Sequence, residues 1–241
     1  MIDIHSHILP DLDDGARDSE EALTMVRLAA ETGTTDIVAT PHANWRYVFD
    51  PVEVRQRIED LQERCGAIPR IHYGCDFHLS AENIESALAE PSRYCINQNG
   101  YLLVEFSDLQ IPKSSTEILD KLRGAGMTPI ITHPERNPIL QKSRKQLEAW
   151  AEDGCLIQIT AQSLFGHFGS RAESAAKDLL HRDLVHFIAS DGHDPQDRPP
   201  VLKDAWNWIV RKYGAERAEA LMRTHPQAVL SGARLAVAPA R

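Results

Sequence analysis

Two imidazoles and a carboxylate stand within the first fourteen residues, as His5-Ser6-His7 and then Asp14. The apolar alternation at 2–8 predicts a β-strand, with Asp3, His5 and His7 on one side and Ile2, Ile4 and Ile8 on the other. Residues two apart on a strand lie about 7 Å from each other, from which two imidazoles can reach one divalent ion. A His-x-His pair also suits two ordinary polar residues on a strand edge, so its surroundings decide.

Those surroundings repeat the pattern. Apolar runs predict further strands at 35–40, 71–77, 101–106, 129–132, 156–160 and 185–190. Helical spacing predicts helices at 19–32, begun at Ser19 and closed by Gly33, and at 53–65, 116–125, 144–153, 171–181, 201–213 and 215–223, with a short turn starting at His225-Pro226. Strands alternating with helices of this length imply a parallel sheet, open or closed. The second strand runs into Thr40-Pro41-His42, the third into Gly74-Cys75-Asp76-Phe77-His78 and the next into Glu105. Later ones run into His133-Pro134-Glu135-Arg136 and Ser190-Asp191-Gly192-His193. In α/β folds functional groups gather at the carboxyl ends of the strands.

Each position has a plain structural reading. His42 could serve a turn, Glu105 could be a paired buried acid, and Asp191 and His193 could be loop polar groups. Five histidines and four carboxylates at or near strand ends exceed what those readings explain together, because buried charge is costly unless paired or metal-bound.

The bulk composition is that of a globular protein. The 241 residues are 42% hydrophobic and 25% charged, which fits one large domain or two small ones. The absence of a Ser/Gly-rich linker favours one domain over 1–241, with a flexible tail after about Gly232. A net charge of -9 argues against nucleic-acid binding through a basic surface. No run approaches the roughly 20 apolar residues of a membrane span, and no signal-peptide pattern precedes the first strand, so cytoplasmic residence is the default. Cys65, Cys75, Cys95 and Cys155 form no Cys-x-x-Cys pair and read as reduced thiols.

The combination His5-Ser6-His7, Asp14-Gly15, Thr40-Pro41-His42, Glu105, His133-Pro134-Glu135-Arg136 and Ser190-Asp191-Gly192-His193 resembles the PHP (polymerase and histidinol phosphatase) family. The fuller opening through Asp13-Asp14-Gly15-Ala16, with Arg198-Pro199-Pro200, resembles its bacterial capsule-associated protein-tyrosine-phosphatase branch, over essentially residues 1–230. The resemblance implies a distorted (β/α)7 TIM-like barrel of the PHP type with a trinuclear centre, usually of manganese or iron-like ions. By resemblance His5, His7 and Asp191 hold the first metal, Glu105 and His133 the second, and Asp14, His42 and His193 the third. Asp76 would bridge the first two, where the family commonly has glutamate. A side chain one methylene shorter bridges less easily, unless the backbone moves in or His78 helps.

Mixed nitrogen and oxygen ligands suit manganese, iron or zinc without choosing among them. Four carboxylates with three divalent ions leave a charge of about +2, which attracts a phosphate dianion; with two ions the balance is near zero. Divalent ions also lower the pKa of water toward neutrality, for in-line attack on phosphorus. Arg136 and Arg198 are candidate phosphate clamps, because guanidinium forks match phosphoryl oxygens. No Cys-x5-Arg phosphatase loop is present, so catalysis is assigned to the metals, His42 and the two arginines.

Trp45, Tyr47 and Phe49 follow His42 and could wall a phosphotyrosyl ring or pack on the rim, and His167 in 162–169 reads as a rim residue. The expected substrate is phosphotyrosine on a tyrosine kinase of capsule or exopolysaccharide biosynthesis. A small metabolite such as histidinol phosphate and a metal-stabilised regulatory role stay open. An amidohydrolase is disfavoured because no lysine ends the middle strands.

Overall fold

The structure is a computed structural model and describes residues 1–235. All strand pairings are parallel. A three-stranded sheet runs β1 (Ile2–Ser6), β2 (Asp36–Ala39), β4 (Arg70–Tyr73). A six-stranded sheet runs β3 (His42–Ala43), β5 (Asp76–His78), β6 (Tyr101–Glu105), β7 (Thr128–Thr132), β8 (Leu156–Thr160), β9 (Phe187–Ala189). The sheets meet where Ser6 bridges Gly192, with the Asp191 amide donating to His5 O at 2.9 Å and the His7 amide to Gly192 O at 2.8 Å.

The strand expected at 71–77 is two strands. Gly74 and Cys75 interrupt it, so β4 pairs with β2 and β5 pairs with β3. Gly74 permits a close approach: a Cβ there would lie 2.7 Å from Val38 and 3.0 Å from Thr40. The strict alternation expected of the first strand is also broken, since the β1–β2 register shifts between Asp3 and Ser6.

The helices follow local chemistry. Helix α1 (Ser19–Glu31) is capped by Asp18, not Ser19, through the amides of Glu20 and Glu21. Helix α2 (Pro51–Cys65) starts two residues earlier than expected because Asp50 caps it and Pro51 occupies its first turn. Helix α3 (Ala81–Ala89) was not expected; only Ala87 is fully buried, too thin an apolar stripe to register as periodicity. Helices α4 (Ser115–Gly124), α5 (Arg144–Glu152), α6 (Gly169–His181) and α7 (Lys203–Tyr213) follow. The chain then runs through α8 (Ala215–Glu219), a π-helical turn (Ala220–Thr224) and α9 (His225–Ser231).

Two apolar clusters sandwich the strands. Ile4, Val38, Leu103, Ile130 and Phe187 form one, and a larger cluster of strand and helix residues, including Leu102, Ile131, Ile157 and Ile188, forms the other. Burial on both faces explains why the strands read as apolar runs. Of the expected tail, Ala233 and Leu235 are held by the Tyr101 hydroxyl at 2.7 and 3.1 Å, and 236–241 lie outside the described residues. Among the described residues no helix is long and apolar enough to cross a membrane.

His186, just before β9, accepts the Ile157 amide on Nδ1 at 3.0 Å, and its own amide donates to Ile157 O. Burial, with His225 and Arg217 nearby, pushes its pKa down to about 4. The neutral ring therefore stabilises the fold above the unfolded value near 6.5, and that contribution is lost as pH falls through the window toward 4. The slope from this one group is up to about 1.4 kcal/mol per pH unit. His186→Asn keeps an acceptor and removes the titration, so urea unfolding at pH 7 and pH 5 should show its stability deficit shrinking at the lower pH. A deficit independent of pH would contradict this.

Candidate metal centre

The carboxyl ends of the strands converge on one cluster. Its donor atoms fall into four overlapping groups, each with all atoms within 4.8 Å of one another: His7, Asp14, His42 and His193; His5, His7 and Asp76; His5, His133 and Asp191; and His42, Asp76 and Glu105. All nine residues expected as ligands fall in these groups. The groups overlap: His5, His7 and Asp191 lie within 3.3 Å of one another and Asp14, His42 and His193 share one group, while His7 also joins the latter, His133 also sits with His5 and Asp191, and His42 also shares Asp76 and Glu105. The closest approach of His133 Nε2 to a Glu105 oxygen is 3.9 Å.

Backbone geometry sets these side chains. His5 and His7 point their Nε2 atoms at each other, 3.2 Å apart, and each lies 3.3 Å from Asp191 Oδ1. Asp191 and His133 occupy the left-handed region, at φ of 51° and 32°, which non-glycine residues adopt at a cost. That turn immediately after β9 and β7 swings both side chains into the cluster. Gly15 lets the Asp13-Asp14 loop lie on β1, since a Cβ there would fall 2.0 Å from His7 O.

Asp76 is the informative member. It is fully buried, and neither carboxylate oxygen has a hydrogen-bond partner among the described residues. Its Oδ2 lies 3.6 Å from His5 Nε2 and 3.1 Å from His42 Nδ1, the latter without hydrogen-bond alignment. An anion buried with unpaired oxygens amid imidazoles fits a divalent cation. The short aspartate thus stands within 3.6 Å of both His5 and His42. His78 does not enter any of the four groups; it lies 3.5 Å from Glu105 Oε2.

The electrostatics are those of an anionic pocket. Burial opposes ionisation of Asp76 and Asp191, yet His5 and His42 hold Asp76, and Arg136 and His5 hold Asp191, well below the usual carboxylate range. Burial alone would depress His5, but Asp191 and Asp76 lift it to about 9. His42 is likewise raised against burial by Asp14 and Asp76. Burial with Arg136 lowers His133, and burial with His7 pushes His193 down to about 3. The carboxylates thus draw positive charge, which imidazole protons and metal cations compete to supply.

Arg136 and Arg198 both engage Asp191 Oδ2, the latter at 2.6 Å, so both candidate clamps stand at the cluster. The aromatic trio divides. Tyr47 stacks on His42, with centroids 6.1 Å apart, and Trp45 is 90% exposed beside it. Phe49 is instead buried against Tyr73 and Tyr94, where a β-to-α connection turns its ring into the core. His167 is exposed, as a rim residue would be.

Sequence reasoning does not reach three supports. Asp13 accepts His7 Nδ1 at 2.7 Å, the His42 amide at 3.0 Å and the Gly15 amide at 2.9 Å. Gln158 bonds His5 Nδ1 at 2.9 Å. Glu135, raised to about 7 by burial, accepts the Thr160 amide and Ser163 Oγ. Gln158 faces inward from the middle of β8, where an amide among apolar residues was the available signal.

The donor set is that of a candidate metal site. The sequence pattern of the family described as "Capsular polysaccharide synthesis, CpsB/CapC" matches residues 1–231, and the chain belongs to that family. It is 34% identical over 220 residues to tyrosine-protein phosphatase YwqE of Bacillus subtilis, covering 90% of this chain and 86% of the relative. To tyrosine-protein phosphatase CpsB of Streptococcus pneumoniae it is 30% identical over 240 residues, covering 95% and 98%. A solved structure described as YwqE from Bacillus subtilis and CpsB from Streptococcus pneumoniae, "unique metal-dependent tyrosine phosphatases", superposes with a TM-score of 0.92 at 31% identity, over 100% of this chain and 98% of that one.

Removing the Asp13 carboxylate would strand the His7 ring and two amides. Asp13→Ala should lower the unfolding free energy by about 1–3 kcal/mol. It should also weaken binding of any metal held through His7 about 10- to 100-fold. Urea denaturation and chelator competition measure the two effects, and unchanged metal affinity would remove Asp13 from the support of the centre.

Proposed function

We propose that this chain is a metal-dependent phosphomonoesterase that hydrolyses phosphotyrosine. The observation that carries the reading is the meeting of four donor groups with two arginines at Asp191. Family membership and the relatives' tyrosine-phosphatase activity support the same substrate.

His5, His7, Asp14, His42, Asp76, Glu105, His133, Asp191 and His193 would hold about two to three divalent ions, manganese first, with iron or zinc as substitutes. Bound ions would supply a water of lowered pKa and Lewis-acid stabilisation of the phosphoryl oxygens. Arg136 and Arg198, already side by side at Asp191, would fork two phosphoryl oxygens and orient phosphorus for in-line displacement. His42, between Asp14, Asp76 and Glu105, would fix the centre of the cluster, with Tyr47 against its ring. Tyr47 and the exposed Trp45 would meet the tyrosyl ring, and Phe49 would not.

The fold belonging to this reading is one domain over 1–241 whose two sheets close as a distorted seven-position (β/α) barrel. The Ser6–Gly192 bridge joins β9 to β1, while β3 and β5 prolong β2 and β4. The substrate protein would be a tyrosine kinase of capsule or exopolysaccharide synthesis, in keeping with the family's description. The location would be the cytoplasm, where the buried free thiols Cys75, Cys95 and Cys155 stay reduced.

Purified protein with manganese should turn over a phosphotyrosine peptide at least tenfold more efficiently than histidinol phosphate, with loss of activity on chelation. A preference for histidinol phosphate by orders of magnitude would assign the site to a small metabolite. Retained metal without turnover of either substrate would mark a regulatory domain. His42→Ala should abolish most turnover while the protein stays folded by circular dichroism.

A further inference from the structure

Arg136 and Arg198 come from different loops, after β7 and after β9, yet both guanidiniums reach the same oxygen of Asp191. Two like charges so close repel, and the contacts to Asp191, which for Arg198 include the carbonyl oxygen at 3.2 Å, fix only one end of each. The ring of Phe168 supplies a second surface. Its centroid lies 4.1 Å from Arg136 Cζ and 5.7 Å from Arg198 Cζ, both within cation–π range.

Phe168 packs into neither apolar cluster among the described residues and is only half-buried, so core packing does not account for it. Its segment is nonetheless held firmly. Gly166 and Gly169 flank it at positive φ, of 78° and 85°, a conformation that glycine adopts without strain. Upstream, Ser163 Oγ donates to the buried Glu135 at 2.7 Å, two strands' ends being joined by that bond. Gln162 Nε2 donates to Asp197 O at 3.3 Å, directly beside Arg198.

We propose that Phe168 is a positioning residue: its ring holds the guanidiniums of Arg136 and Arg198 together over Asp191, keeping both aimed at the phosphoryl group. The ring acts through the two arginines. The inference rests on the phosphatase reading above, and adds to it the element that makes two separate loops behave as one clamp.

Manganese-loaded wild type, Phe168→Leu and Phe168→Tyr are compared with p-nitrophenyl phosphate as substrate and inorganic phosphate as competitive inhibitor. Phe168→Leu should raise KM and the phosphate inhibition constant together by about five- to twentyfold, with kcat changed less than threefold. Metal content and thermal midpoint should match the wild type. Phe168→Tyr, which keeps the π face, should stay within twofold on both constants. Constants within twofold of wild type for Phe168→Leu would overturn the proposal. So would a tyrosine variant as impaired as the leucine one, or losses that follow metal content or unfolding. A wild type inert toward p-nitrophenyl phosphate would overturn the phosphatase reading itself, a result separable from normal wild-type turnover with an indifferent Phe168→Leu.

Discussion

Asp76, opening β5, and Asp191, just after β9, are anions buried at 0% and 2% exposure, and their need for positive charge organises everything around them. An isolated buried carboxylate would take up a proton. Here Arg136 and Arg198 approach Asp191 from one side and imidazoles from the other, while Asp76 has imidazoles only. Asp191 thus answers both to permanent cations and to the imidazole cluster, and Asp76 to the cluster alone. The proposed metal and phosphate binding would grow from that same constraint.

The architecture serves that constraint at some local cost. His133 and Asp191 hold left-handed backbone conformations, and Gly15, Gly74 and Gly192 each permit approaches that a Cβ would block. At Gly192 the obstacle would be Pro200 at 2.8 Å, in the loop that carries Arg198. These local costs are offset by two apolar clusters that bury the strands on both faces.

Much of this was legible in the residues because it depends on side-chain type at strand ends, a local property. His5, His7, His42, His133 and His193 with Asp14, Asp76, Glu105 and Asp191 all reach the cluster. How far the sets overlap was not legible, since that depends on loop conformation: His133, at a left-handed φ, stands with His5 and Asp191 as well as 3.9 Å from Glu105. Asp13 escaped for a related reason. Adjacent to Asp14, it faces His7 instead, and nothing in a doublet of aspartates says which points where. Phe49 reads like Tyr47 in sequence but is taken by the core, and the break at Gly74-Cys75 depends on contacts with Val38 and Thr40 across the sheet. Helix α3 was missed because its buried face is too small to show a period.

The central claim is that these nine side chains form one shared metal centre rather than a network of protonated imidazoles and carboxylates. Anomalous diffraction from crystals grown with manganese, recorded on both sides of its absorption edge, addresses it directly. The account predicts two or three anomalous peaks inside the volume bounded by His5, His7, His42, Asp76, Glu105 and Asp191, with Asp76 contacting at least one. Peaks confined to surface carboxylates, or a cluster with no peak under manganese that saturates activity, would contradict it.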